Sequence, residues 1–163
     1  MKITFKQYKR SNLKDLEMCM ENLQDFLIDI DPLKRLRRLP EYSKRYTKNL
    51  VKKTFKQNGL IILAYDKEKI VGCTAGNIEK QTKDNLLECI PTKQGRILEL
   101  FVSDSYRNQG LGKRLMQKME TYFKKHKCDI IRIEVFAPNE KTHDFYQNLD
   151  YSDRFVDMIK KLK

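Results

Sequence analysis

Apolar positions along the chain switch between a period of two and a period of three to four, and each switch marks an element. Lys2 to Tyr8 alternates Ile3 and Phe5 with polar residues, the pattern of a first strand. Leu13, Leu16, Met20, Leu23 and Leu27 then recur at three and four residues, predicting an amphipathic helix that Ser11 or Asn12 can cap. Pro32 and Pro40 bound an irregular connection. Beyond it Tyr42, Tyr46, Leu50 and Phe55 mark a second helical stripe, ending near Asn58-Gly59. Leu60 to Tyr65 and Ile70 to Ile78 are apolar, β-branched runs separated by Asp66-Lys67-Glu68-Lys69, which reads as a hairpin.

The second half repeats this logic. Glu79 to Gly95, with Pro91, reads as a loop or an extended hairpin tip, and Ile97 to Val102 as the next strand. Gly112 to Lys127 is helical, with Leu115, Met116, Met119, Tyr122 and Phe123 on one face. Ile130 to Phe136 is expected as strand, Asn139 to Leu149 as a short helix, and Phe155 to Leu162 as a final strand. A strand, a helix and a parallel strand make a right-handed crossover the default within a mixed sheet, so the class is α/β. No repeat or linker divides residues 1–163, and one domain is expected.

Composition narrows the function classes without naming one. With 163 residues, 40% hydrophobic and 34% charged, the chain can bury a full core without metals or disulfides. Met1 to Lys6 carries no apolar stretch of signal-peptide length, and no uncharged run approaches the roughly 18 residues of a membrane span. The expected location is the cytoplasm, with no membrane partner. Cys19, Cys73, Cys89 and Cys128 stand far apart, with no Cys-x-x-Cys pair and no histidine at a ligand interval, so reduced thiols and no metal are expected. His126 and His143 lie in charge-rich helical stretches and read as solvated or capping groups. No nucleophile motif such as Gly-x-Ser-x-Gly occurs, which argues against a hydrolase.

The formal charge of +12 is uneven. Ten Lys or Arg and one acid, Glu41, fall between Lys34 and Lys56, whereas Asn12 to Asp31 carries six acids against Lys14. Lys34-Arg35-Leu36-Arg37-Arg38 has the charge to meet phosphates. No nucleic-acid motif accompanies it, although Tyr42 and Tyr46 are close, so a solvated face is the simpler reading and nucleic acid is disfavoured as a partner.

The chemistry concentrates after the strand Ile97 to Val102, where Ser103-Asp104-Ser105-Tyr106 leads into Arg107-Asn108-Gln109-Gly110-Leu111-Gly112 and a helix. Glycines let the backbone approach a ligand, and the free amides and dipole of a helix start favour an anion, phosphate above all. Two common phosphate loops fail. The Gly-x-x-x-x-Gly-Lys-Ser/Thr loop would need a glycine at Arg107 and a hydroxyl at Arg114. The dinucleotide fingerprint would need a small residue at Leu115.

What remains resembles the GNAT superfamily of N-acetyltransferases, whose Arg/Gln-x-x-Gly-x-Gly/Ala signature is matched by Arg107, Gly110 and Gly112. Downstream, Asn139, Tyr146 and Leu149-Asp150-Tyr151 match the family's Asn, six residues, Tyr and apolar-Gly-Phe ending, with Asp150 in place of the glycine. Aspartate tolerates a left-handed turn, which accounts for that departure. The match covers Ile97 to Tyr151. It implies a single-domain GNAT-type fold: a mixed, mostly antiparallel sheet flanked by helices, in which Ile97 to Val102 and Ile130 to Phe136 splay apart into a cofactor cleft. Acetyl-coenzyme A is the implied co-substrate. Backbone groups of Phe101 and Val102 would pair with its pantetheine arm, and amides from Gln109 to Lys113 with its diphosphate. Arg107, Asn108, Gly110, Leu111 and Gly112 belong to the same cradle, and Asn139 and Tyr146 contact the cofactor from the following helix.

The resemblance further implies transfer of an acetyl group to a primary amine by direct attack in a ternary complex. Tyr146 stands where such families place the acid that protonates the leaving thiolate. Its reference pKa is about 10, against about 8.5 for a thiol. Glu99 is the preferred general base, and Glu134 a second choice. The amine acceptor, a small molecule or a peptide, stays open. An acidic pocket from the Asn12 to Asp31 helix with Glu79, Asp84 and Glu88 would suit a polycation, whereas the basic segment would suit an anion. A catalytically silent acyl-coenzyme A sensor or adaptor, binding an acidic protein or RNA, is the alternative, and a general nucleotide-binding protein a third. The edge of the final strand leaves room for a homodimer.

Overall fold

The two periods condense into five strands and five α-helices among residues 2–162, which the computed structural model describes. In chain order these are β1 (Ile3–Gln7), α1 (Leu13–Ile30), α2 (Tyr42–Lys56), β2 (Leu60–Asp66), β3 (Lys69–Glu79), α3 (Asn85–Glu88), β4 (Gln94–Val102), α4 (Leu111–Lys125), β5 (Ile130–Arg132) and α5 (Glu140–Gln147). The sheet order is β1-β2-β3-β4-β5. The first three pairings are antiparallel and β4–β5 is parallel.

Both faces of the sheet are covered, which is why β2 reads as an unbroken apolar run rather than an alternating one. Ile61, Leu63 and Tyr65 face a core completed by Leu16, Cys19 and Met20 of α1 and Leu50 of α2. Ile62 and Ala64 face the other core, filled by Leu111, Leu115, Met116, Met119 and Phe123 of α4. Asn12 does precede α1, but its Oδ1 accepts the Lys9 amide (3.1 Å) rather than a helix amide.

The charge asymmetry has a local structural outcome. The Asp31 carboxylate accepts the amides of Leu33 (3.0 Å), Arg35 (2.6 Å) and Leu36 (2.9 Å), winding the basic connection back on itself. Those hydrogen bonds, led by that from Leu36, hold its pKa below the usual carboxylate value. Arg38 then pairs with Glu21 and Asp25 of α1. The acidic and basic stretches thus neutralise one another in part, while the lysines of α2 remain exposed.

Three sequence expectations change. β4 begins at Gln94, ahead of Ile97, because Glu79 pairs with Gln94 and the intervening stretch is a hairpin loop carrying α3. β5 stops at Arg132 rather than Phe136, since it loses β4 as a ladder partner after Arg96. Phe155 to Leu162 forms no strand: no neighbouring strand lies beside it among the described residues, and its apolar side chains are exposed. By contrast Asp150 does take the left-handed conformation, φ +63°. Among the described residues no helix is long and apolar enough to cross a membrane.

Candidate active site

Glu99 owes its direction to a defect in the sheet. Ala75 pairs with Glu99 and Gly76 with Ile97, so Leu98 is left over and β4 bulges. The bulge shifts the phase of the alternation. Ile97, Leu100 and Val102 pack on the α4 side, and Leu98 and Phe101 on the α1–α2 side. Strict alternation would send Glu99 the way of Ile97. Instead it turns towards α2, where its Oε1 accepts the Tyr46 hydroxyl. Tyr46 stacks on Tyr42 (centroids 5.2 Å apart), whose hydroxyl donates to Gln24 (3.0 Å).

Burial pushes the Glu99 carboxyl up to about 7, opposed by the Tyr46 hydrogen bond and the charge of Lys53, both of which favour the carboxylate. Burial and the charge of Glu99 push Tyr42 up to about 12 and raise Tyr46 as well. A cavity of about 390 Å³ opens at this point, lined by Tyr46, Asn49, Lys53, Arg96, Glu99 and Glu134 among others. Arg96 is held by the carboxylate of Glu134.

At the turn, Asn108 (φ +59°) and Gly110 (φ +76°) both adopt left-handed torsions that reverse the chain into α4. A Cβ at Gly110 would meet nothing within 4 Å, so torsion alone calls for glycine there, whereas one at Gly112 would come within 3.3 Å of the Phe145 ring. Among the described residues the amides from Gln109 to Lys113 find no backbone acceptor, and the Arg114 amide closes onto the Gly110 carbonyl (3.1 Å). The side chains brace the turn rather than extend it. Arg107 Nε donates to the Val102 carbonyl (3.1 Å), its Nη2 meets Asp104 (2.8 Å) and its guanidinium lies 4.6 Å over Phe26. Gln109 donates to the Ser105 carbonyl (2.8 Å), Arg114 lies over Phe5 (4.8 Å), and Lys113 is exposed. Leu111 is buried in the α4 core.

β4 and β5 pair only at Gln94–Ile130, Gly95–Ile131 and Arg96–Arg132, so the strands part just before Glu99, Phe101 and Val102. On the far side of the split, Asn139 precedes α5, its carbonyl accepting the amides of Thr142 and His143 (3.0 Å each). Tyr146 is 5% exposed, edge-on to Phe145 (5.2 Å) and Tyr151 (5.8 Å). Its pKa is raised by burial and then by the charge of Glu99. Tyr146 also lines a cavity of about 850 Å³ between β5, α4 and the chain after α5, and Glu134 lines both cavities. His143 pairs with Asp153 (2.7 Å) and lines the larger cavity beside Tyr146, whereas His126 follows the last turn of α4 and lines neither cavity.

A row of amides lacking acceptors, at a left-handed turn on a helix start, is a donor set that suits a diphosphate. The parting of two parallel strands leaves backbone on both without a ladder, which suits an extended amide-bearing arm. Sequence reasoning missed Tyr46, Lys53 and Arg96. The available signal was Tyr42 and Tyr46, an aromatic pair four residues apart on an otherwise lysine-rich helix.

The model of the Acetyltransferase (GNAT) family matches residues 20–151, most of the chain. Among solved structures, a mutant BH1408 protein of Bacillus halodurans superposes with a TM-score of 0.82 at 16% identity, covering 98% of this chain and 99% of that one. A Trypanosoma brucei acetyltransferase gives 0.68 at 17% identity over 99% and 100% of the two chains. AAC(6')-Iy, solved with the bisubstrate analogue CoA-S-monomethyl-acetylneamine, gives 0.69 at 12% over 99% and 100%. No curated protein matches the sequence significantly. The structural likenesses show a common fold, and the family match shows more: the chain belongs to the GNAT family of acetyltransferases.

Proposed function

We propose that the chain is an acetyl-coenzyme A-dependent N-acetyltransferase that acts on a primary amine by direct attack in a ternary complex, residues 1–163 serving as one domain. The observation that carries this reading is Glu99, a carboxylate with a pKa of about 7 turned by the bulge towards the acceptor cavity, with Tyr146 across the parting of β4 and β5. Acetyl-coenzyme A supplies the activated thioester. Amides from Gln109 to Lys113 hold its diphosphate, the backbone of Phe101 and Val102 lies along its arm, and Asn139 touches it from α5.

An amine such as that of lysine reaches the site largely protonated, with a reference pKa of about 10.4. Glu99 takes that proton, directly or through a water, and frees the nitrogen lone pair for attack. Attack forms the C–N bond, and collapse breaks the C–S bond as Tyr146 gives its hydroxyl proton to the leaving sulfur; the second proton of the acylated nitrogen returns to the Tyr146 phenolate through water, and Glu99 releases its proton to solvent. The two groups cooperate: once Glu99 is protonated, one of the causes that raise the Tyr146 pKa disappears and the phenol becomes the better donor. Lys53 and Arg96 beside Glu99 and Glu134 balance the charge of the cavity, which favours an amine with few further charges over a polycation. Four free thiols suit a reducing compartment, the cytoplasm.

Calorimetry with coenzyme A and with ATP tests the donor. Coenzyme A should bind at least about tenfold more tightly, since the pantetheine arm adds its own contacts. Equal affinities would make the chain a general nucleotide binder. Coenzyme A binding without turnover, together with salt-sensitive capture of RNA or an acidic protein, would make it an adaptor.

A further inference from the structure

The cavity beside Glu99, about 390 Å³, carries more charge than removal of a proton needs. Lys53 and Arg96 are its cations, Glu99 and Glu134 its carboxylates. Arg96 is committed, because its guanidinium meets Glu134 and its side chain is only 13% exposed. Lys53 is not. It is exposed at the cavity and, among the described residues, forms no ion pair. Its charge still reaches Glu99, whose pKa it lowers, so the ammonium stands near that carboxylate without closing onto it. Tyr46, Asn49 and Lys53 follow at three and four residues along one stripe of α2, and Tyr46 already holds Glu99. Lys53 starts two turns further on, about 10 Å along the axis, and helical side chains lean back towards the N-terminus. A base and an unpaired cation thus line one small space with a gap between them.

We propose that the acceptor is a primary amine that also carries one carboxylate, an amino acid or longer amino carboxylate of no net charge: Glu99 receives its ammonium end and Lys53 its carboxylate. The inference rests on the N-acetyltransferase reading of the same site and names its substrate class. Charge balance selects this class. With Glu99 ionised, the four charged groups of the cavity cancel. A bound ammonium adds one positive charge, and passing its proton to Glu99 leaves that excess in place, centred on Lys53. One carboxylate on the acceptor restores neutrality before and after the transfer. A phosphate monoester, at about −1.5 to −2, overshoots, and a second ammonium enlarges the excess.

The surroundings agree with that polarity. Lys48, Lys52 and Lys56 are exposed on α2 beside the cavity stripe, so the field outside the cavity is positive and draws in the carboxylate end while repelling polycations. Leu50, Ile97 and Leu98 give the cavity an apolar wall for the carbon chain that joins the two ends.

Thiol release from acetyl-coenzyme A by the full chain tests this with matched acceptors: glycine, β-alanine, 4-aminobutyrate and 6-aminohexanoate, each against its own primary amide. The readout is the ratio of kcat/KM for acid to amide, compared between the wild type and Lys53→Met. At the length that fits, Lys53→Met should lower the ratio about fivefold, the worth of a solvent-reached ion pair. Differences in amine basicity, and the rise in the Glu99 pKa when Lys53 is lost, are shared by numerator and denominator across the variants and cancel. Lys53→Arg keeps the charge and should keep the ratio. Lys52→Met removes a lysine that does not line the cavity and should also keep it. A ratio unchanged in Lys53→Met at every length, or lowered as much by Lys52→Met, would overturn the proposal while leaving acetyl transfer intact. A larger Lys53-dependent preference for 2-aminoethyl phosphate than for β-alanine would overturn the assignment of a single carboxylate. No turnover with any amine would overturn both this inference and the reading on which it rests.

Discussion

Glu99 and Tyr46 set the pH dependence of the proposed reaction. The working form of Glu99 is the carboxylate, and burial lifts its pKa to about 7. For an acceptor whose own ionisation is distant, kcat/KM should therefore rise with pH through about 7 and level off above it. In Glu99→Gln that limb should vanish together with most of the rate, and an unshifted profile would remove Glu99 from the chemistry. Tyr46 donates to the charged form and so lowers this pKa. Tyr46→Phe should move the limb to higher pH by about one unit, the effect of losing a hydrogen bond to a charged group. Tyr146→Phe separates chemistry from binding: turnover should fall about a hundredfold, with the coenzyme A affinity from calorimetry nearly unchanged. Unchanged turnover would return Tyr146 to a packing role between Phe145 and Tyr151. Glu99 and Tyr146 could be named as candidates in the sequence through the family resemblance that the Arg107–Gly112 turn carries. For Tyr46 the pair with Tyr42 was visible, but its partner Glu99 lies 53 residues away and no local pattern reports that contact.

Among the elements, the turn into α4 and the bulge in β4 do different work. The turn presents donors, and it depends on a left-handed torsion at Gly110. Gly110→Ala meets no steric obstacle, so its whole cost is torsional, about 1–2 kcal/mol. It should lower the midpoint of thermal unfolding and weaken coenzyme A binding in the same variant. Wild-type behaviour in both would mean that the torsion is incidental. The turn could be read from sequence because glycine is informative where the chain reverses. The bulge could not. Ile97-Leu98-Glu99-Leu100-Phe101-Val102 is apolar on both sides of Glu99 with no Gly or Pro within it, so a change of phase leaves no mark on the hydrophobic pattern. The end of β5 and the segment after Phe155 were overextended for a related reason. Strand propensity names residues that fit a sheet, but a ladder also needs a neighbour, and β4 has turned away by then.

Across the whole molecule, a four-stranded antiparallel meander carries one parallel strand, and the site lies where that strand departs. Helix α2 brings Tyr46 and Lys53 to one side of the parting, and α5 brings Tyr146 to the other. Charge is distributed at the same scale. The acids of α1 are partly engaged by Arg38 and by the hydroxyl of Tyr65, which donates to Asp15 (2.6 Å). They are therefore less available to line a pocket for a polycation, and the cavity beside Glu99 is itself charge-balanced. The most direct measurement is thiol release from acetyl-coenzyme A by the purified full-length chain, with and without a panel of primary amines that spans neutral, acidic and polycationic members. Release that depends on an amine, strongest with members of low charge and accompanied by one equivalent of N-acetylated product, is the predicted result. No amine-dependent release from a chain that binds coenzyme A would contradict the account.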